Sequence, residues 1–283
     1  MRVIKRERGK ETYFYLQHSF RRDDKVITRE VYLGKKLPID LDRYKERLEK
    51  ETGGGVLEKL ARIRENFQKD WKRHPKSAKE SDLKAIAIAF TYNTNAIEGS
   101  KITLSETMDL LKNGVAPNKP IMDVKETESH RKVFFEMLKE TEPLSEKMVQ
   151  GWHRELFEDT KADIAGIFRN YGVSVGNYIA PAWWEVPKLM RDLMDFSNKT
   201  KINPVELAAR VHCRFEKIHP FGDGNGRVGR LIMNYILWKS GYPMLIIEYN
   251  KRWAYYKALP SEQNFVKYFL RSYLTTQKTR YLR

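Results

Sequence analysis

Cysteine is nearly absent from this chain. Cys213 is the only one in 283 residues, so no internal disulfide can form, and a reducing cytoplasm suits the sequence. Long apolar runs are missing too. Ala85 to Phe90 is about the longest. It falls far short of the roughly 20 residues that span a bilayer, and it reads as a buried helix segment. Met1 to Arg8 turns into aromatic alternation rather than an apolar signal core. The sequence therefore predicts no signal peptide, a cytoplasmic location and no membrane partner. Negative charge is the third deficit: 37 Asp and Glu stand against 53 Lys and Arg, a formal net charge of +16. Such an excess attracts polyanions, nucleic acid or nucleotide phosphates among them, or forms a solvated basic surface. At 41% hydrophobic residues, the chain still has enough apolar material for a core.

What is present is organised unevenly. Residues 12–34 predict a β-hairpin, because Tyr13 to Leu16 and Val26 to Leu33 flank the polar turn Arg22-Asp23-Asp24-Lys25. Leu41 to Lys50 reads as a short helix ended by a linker, Gly53-Gly54-Gly55. That linker sets an expected boundary between residues 1–52 and a helical region, 56–140. A further helical core is expected over 142–276, with a basic tail at 277–283. Asn203-Pro204-Val205-Glu206 and Thr103-Leu104-Ser105-Glu106 carry helix-start signals. Tyr171 to Pro181 suggests a short hairpin within the helices. The predicted class is mainly α, with two small β-hairpins.

The segment from Ile218 to Arg230 concentrates the chemistry. Gly222, Gly224 and Gly226 precede a helical apolar pattern that begins at Arg227. A glycine-rich turn opening a helix aims several N–H groups at one spot, and the helix dipole favours an anion there. Arg227 and Arg230 are three apart and share a helix face beside it. Asp223 suits Mg²⁺ held against phosphate oxygens, since that cation takes oxygen ligands. His219 stands at the start of the loop, where an imidazole can deprotonate an incoming hydroxyl. His212 invites a metal reading, but no Cys or further His completes a ligand set, so it reads as structural.

The run His-x-Phe-x-Asp-Gly-Asn-Gly-Arg-x-x-Arg, complete from His219 to Arg230, resembles the signature of the Fic (Fido) family. The flanking helix from Glu206 to Phe215 and the segment Gly241-Tyr242-Pro243 resemble that family as well. The resemblance implies a Fic helical core that transfers AMP from ATP to Ser, Thr or Tyr hydroxyls of proteins. It makes His219 the general base, Phe221 the anchor of the loop and Asp223 the Mg²⁺ ligand. Gly224, Asn225 and Gly226 become an anion hole, with Arg227 and Arg230 on the outer phosphates. The hairpin with Gly176, Asn177 and Tyr178 resembles the family's flap, which adds a target segment as a strand, and these three join the nucleotide-binding set. Tyr255, Tyr256 and Gln263 resemble the adenine side.

Thr94-Asn95-Ala96-Ile97-Glu98-Gly99 resembles the family's inhibitory motif. It implies a self-inhibited member in which Glu98 pairs with Arg230 and blocks the γ-phosphate position. Expected partners are protein substrates with an exposed hydroxyl, the chain itself included, with removal of AMP as a companion activity and an oligomer as an option. Two alternatives stay open: transfer of another group, UMP or phosphocholine, on the same fold, and a basic nucleic-acid-binding regulator. Residues 1–50 and the stretch from Lys267, with five basic and no acidic residues, are where a nucleic acid or acidic target would dock.

Overall fold

The structure is a computed structural model and describes residues 1–9, 11–22, 25–38, 40–176 and 178–282. Its backbone contacts separate two units, Met1–Arg62 and Ile63–Arg283.

The first unit opens with three antiparallel strands, β1 (Arg2–Arg8), β2 (Glu11–Arg22) and β3 (Lys25–Gly34), in the order β1-β2-β3. The expected hairpin is therefore the second half of a meander, and the strand Arg2–Arg8 is an addition to it. Its four cationic side chains hide the strand signal, yet such charge suits an edge strand, where it discourages further pairing. The expected turn residues Asp23 and Asp24 lie outside the described residues. Alternation sorts the sheet. Leu16 and Leu33 are buried with Leu48, and Phe14, Val31, Leu41 and Tyr44 pack around them. The other face carries Tyr13, Tyr15 and Tyr32, which touch one another.

The expected linker at Gly53-Gly54-Gly55 is not a break. One helix, α1, runs from Leu41 to Arg73. Three glycines weaken a helix by roughly 1 kcal/mol each relative to alanine, and tertiary burial on either side outweighs that. Leu48 and Leu60 are each 1% exposed and Ile63 is fully buried.

The second unit is helical, as expected. α2 (Lys76–Ile97) buries Ala87, Ile88 and Phe90 from the apolar run. α3 (Leu104–Asn113) begins with the predicted capping box, in which Thr103 and Glu106 satisfy each other's backbone N–H. α4 (Ile121–Lys139) and α5 (Glu146–Phe157) follow. The short hairpin is β4 (Ser174–Val175) paired with β5 (Tyr178–Ile179). Then come α6 (Val186–Lys199), α7 (Pro204–Ile218), α8 (Asn225–Lys239), α9 (Arg252–Ala258) and α10 (Glu262–Tyr281). Asn203 caps α7 as predicted, accepting from Val205 N at 2.9 Å. Every residue of α8 from Arg227 to Leu237 is buried. That burial makes α8 the axis of the unit and fixes whatever chemistry its N-terminus carries.

Candidate active site

The signature is the bend between α7 and α8. His219 caps α7 with φ at 50°, the only positive value at a non-glycine among the described residues. A histidine held in the left-handed region needs its surroundings to hold it there. Arg169 does much of this. It is 4% exposed and donates to the carbonyls of His219 (2.8 Å), Tyr171 (2.8 Å), Pro181 (2.7 Å) and Ile218 (3.3 Å). One guanidinium thus ties the turn at His219 to both ends of the hairpin segment. Nothing in the sequence singled Arg169 out, because its partners are backbone carbonyls, two of them about 50 residues away.

The other half of the loop is tied by two more buried side chains. Asn225 accepts from Phe221 N and donates to Phe221 O, both at 2.9 Å. Its amide is spent on the loop, so only its main chain remains for an anion. Phe221 is buried, as expected of an anchor, and stacks on His153 with ring centres 3.8 Å apart. His153 accepts from Gly166 N at 2.8 Å and donates through Nε2 to Asp223 O at 3.0 Å. Burial pushes its pKa down to about 4, so it stays neutral. His153, too, was missed by sequence reading.

The tautomer of His219 follows from its one ring contact. Nδ1 lies 3.3 Å from the Glu216 carbonyl, which can only accept, so Nδ1 carries the proton and Nε2 is left as a base. Burial lowers the His219 pKa below its ordinary value, which keeps Nε2 unprotonated at neutral pH. Glu216 itself is largely shielded from solvent, at 15% side-chain exposure, and desolvation raises its carboxyl to about 8.

Next along, Gly224 begins α8 with φ at 75°, and a Cβ there would fall 2.2 Å from the Phe157 ring. No other residue type fits both demands. The first turn of α8 then offers unpaired N–H groups and the positive end of its dipole. A carboxylate already stands at that end. Glu98, the residue that caps α2, brings Oε1 so close that a Cβ on Gly226 would sit 2.2 Å from it.

Both signature arginines are buried and paired. Arg230 donates to Glu98 Oε1 at 2.7 Å, to Thr94 Oγ1 at 2.5 Å and to Thr94 O at 3.1 Å. Burial alone would lower its pKa, but Glu98 reverses the direction and holds it charged. Arg227 pairs with Glu126 of α4. Asp223 accepts from Lys161 at 2.7 Å and lies 3.7 Å from Arg227. Burial opposes its charge, and these two cations override that and keep it ionised. Among the described residues no group of three or more His, Cys, Asp or Glu is arranged to hold a metal. Asp223 is a single, half-exposed carboxylate. That fits Mg²⁺ only as a cation carried largely by substrate phosphates, the usual habit of this ion.

The remaining predicted residues divide. Gly176 has φ at 57° and turns the hairpin, while Asn177 lies outside the described residues. Tyr178 donates its hydroxyl to Lys217 O at 3.0 Å and so pins the hairpin to α7 rather than offering that group to a nucleotide. Tyr255 is 1% exposed, with its hydroxyl 2.9 Å from His212 Nε2 and 3.5 Å from Arg230. It supports Arg230 from behind and has no open face for a base, a correction to the expected adenine contact. Successive helical side chains point about 100° apart, so Tyr256 faces outward and bonds Ile97 O at 2.9 Å, bracing the segment that carries Glu98. Gln263 is exposed in the first turn of α10, beside Glu262, which holds Arg210 and Arg214. His212 is the structural histidine expected, its pKa pushed down to about 3 by burial.

Known proteins are similar to this chain in sequence and fold. Residues 143–237 match the Fic/DOC family. The protein adenylyltransferase Fic of Nematostella vectensis is 33% identical over 185 residues, which is 62% of this chain and 43% of that one. The protein adenylyltransferase fic-1 of Caenorhabditis elegans is 32% identical over 179 residues, 60% of this chain and 35% of its own. This chain thus spans less than half the length of these curated relatives. Among solved structures, Fic-1 from C. elegans superposes with a TM-score of 0.70 at 25% identity, covering 86% of this chain and 75% of the other. A Fic domain containing signaling protein from Bacteroides thetaiotaomicron gives 0.68 at 25% identity, covering 78% of this chain and 96% of that one. With its complete loop on a matching helical frame, the segment 143–237 of this chain is similar to the Fic/DOC family.

Proposed function

We propose that this chain transfers AMP from ATP to Tyr, Ser or Thr hydroxyls of proteins, itself included, and that Glu98 restrains it. The observation that carries the reading is the Glu98 carboxylate at the N-terminus of α8, bonded to Arg230 at 2.7 Å. A helix N-terminus flanked by two buried arginines is built for a polyanion, and here an internal anion stands in it. The names of the relatives in N. vectensis and C. elegans supply the chemistry of transfer.

In this reading the triphosphate lies along the first turn of α8, and Arg227 and Arg230 hold its outer charges. His219 Nε2 accepts the proton of the attacking hydroxyl, and attack in line at the α-phosphate expels pyrophosphate. Mg²⁺ bound with the nucleotide would neutralise phosphate charge, with Asp223 as its protein ligand. Arg169, Asn225 and His153 keep the loop in place, so catalysis is largely positioning and charge stabilisation. The hairpin of Ser174–Val175 and Tyr178–Ile179 is short and exposed, which suits pairing with an extended target segment. The experiment is incubation of the purified chain and of Glu98→Gly with labelled ATP and Mg²⁺, and separately with UTP, GTP and CDP-choline. Mass spectrometry of all protein then reads the transferred group. Mass additions from UTP or CDP-choline and none from ATP would replace AMP transfer with another group.

A further inference from the structure

Two carboxylates, from two different helices, each take one signature arginine. Glu98 takes Arg230 and Glu126 takes Arg227. They are not equivalent. The Glu98 side chain is 31% exposed, and among the described residues its ion pair is with Arg230 alone. Glu126 is 11% exposed and is held three times over, by Arg227, by Lys161 at 3.0 Å and by the Thr160 hydroxyl at 3.2 Å. Lys161 in turn reaches Asp223 at 2.7 Å. Below both cations lies the Phe157 ring, 4.5 Å from the Arg227 guanidinium carbon and 5.0 Å from Lys161 Nζ. A cavity of about 300 Å³ opens among Glu98, Glu126, Lys161, Asp223 and Arg227. Arg227, Lys161 and Glu126 all line it, with Glu126 as the common counter-ion of the two cations and the Phe157 ring packed against both.

We propose that Glu126 is a positioning residue for the phosphate end of this site, setting Arg227 and Lys161 on the cavity wall, and that it is not a second brake. The proposal rests on the AMP-transfer reading and names Lys161 as a further cation for the outer phosphates. The physical distinction is mobility. A carboxylate with one partner can swing away and free its arginine. One with three partners and little exposure stays, and it fixes the direction in which Arg227 presents its remaining N–H groups. Burial opposes the charge of Glu126, but Arg227 and Lys161 lower its pKa and keep it ionised. Glu126 thus holds Arg227 and Lys161 in place without neutralising both, one carboxylate against two cations.

The test separates three roles. ATP affinity is measured by calorimetry on the non-transferring Glu98→Gly/His219→Ala chain, with and without Glu126→Gln, alongside Lys161→Met. AMP transfer is measured in the Glu98→Gly background. Positioning predicts ATP binding weakened about 10-fold or more and transfer slowed roughly 10²-fold by misplacement, in Glu126→Gln. Glu126→Asp, which keeps the charge, should recover part of both, and Lys161→Met should weaken ATP binding in the same direction. Thermal unfolding of each variant shows whether it is folded, and Lys161, at 29% exposure, serves if Glu126→Gln is not. Faster transfer in Glu126→Gln alone would make Glu126 a brake and overturn the proposal. Unchanged ATP affinity in folded Glu126→Gln and Lys161→Met would overturn it too, leaving AMP transfer intact. If the reference chain itself binds no ATP, the functional reading fails first and the proposal with it.

Discussion

Glu98 Oε1 and Arg230 Nη2 are 2.7 Å apart although 132 residues separate them in the chain. The same arginine is bonded twice to Thr94, one helical turn before Glu98. The segment Thr94–Gly99 thus closes on Arg230 as a unit, and Tyr256 braces it through Ile97 O.

Glu98→Gly is expected to raise AMP incorporation, first as self-modification. The carboxylate then leaves the α8 N-terminus and Arg230 is freed for the γ-phosphate. A misplaced phosphate costs about 10²-fold, and a gain of that order is expected. Initial rates for wild type, Glu98→Gly and Glu98→Gly/Arg230→Ala decide it: the double variant should lose the gain. A single variant no faster than wild type would remove the inhibitory role of Glu98 and leave the loop assignment standing.

His219→Ala, in the Glu98→Gly background, should reduce transfer by about 10²–10⁴-fold, the usual contribution of a general base, with ATP affinity nearly unchanged. Its pH dependence has a definite sign. Burial lowers the His219 pKa from its ordinary value of 6.5, so Nε2 stays a base at pH 7 and is lost as pH falls through the lowered value. The acid limb of the rate profile should therefore lie below pH 6.5. A limb centred above 7 would contradict this environment for His219.

Asp223→Ala should remove the dependence of transfer on added Mg²⁺, together with most of the activity. Its carboxylate is held ionised by Lys161 and Arg227, and a carboxylate among phosphates is tolerated only with a cation between them. Rates in metal-free buffer, with and without Mg²⁺, test this. Equal Mg²⁺ stimulation of wild type and variant would show that the metal is held elsewhere.

Arg169→Ala should destabilise the protein and disable the loop together. It strips a donor from the carbonyls of His219, Tyr171, Pro181 and Ile218. Buried acceptors left unpaired cost about 1–3 kcal/mol each, so a loss of at least roughly 2 kcal/mol is expected, or about 4–8 °C in Tm. Thermal unfolding and transfer should fall in parallel. A variant with unchanged Tm would mean that water replaces the guanidinium.

The chemistry was legible in the sequence because it is local. His219, Asp223, Gly224, Gly226, Arg227 and Arg230 lie within twelve positions, and a turn followed by a helix start forces them together whatever the rest does. The capping signals at Asn203 and Thr103 were local in the same sense. The resemblance of Thr94–Gly99 supplied one long-range pair, Glu98 with Arg230. Propensity misled at Gly53 to Gly55, where burial on both sides carries α1 through three glycines. At Tyr255 it was the resemblance that suggested a nucleotide contact, whereas the ring is 1% exposed and its hydroxyl meets His212.

By itself, then, the sequence determined the helical class, the glycine-rich loop at the start of α8 and the positive charge gathered beside it. Only the tertiary structure decided what each of those groups faces. It put Arg169 beneath His219, His153 against Phe221, and Glu126 with Lys161 behind Arg227. Each of these contacts joins residues 35 to 101 positions apart. No period or spacing in the chain encodes them, because packing around the buried α8 chooses among many possible neighbours, and only the folded arrangement brings Arg227 and Arg230 to their carboxylates.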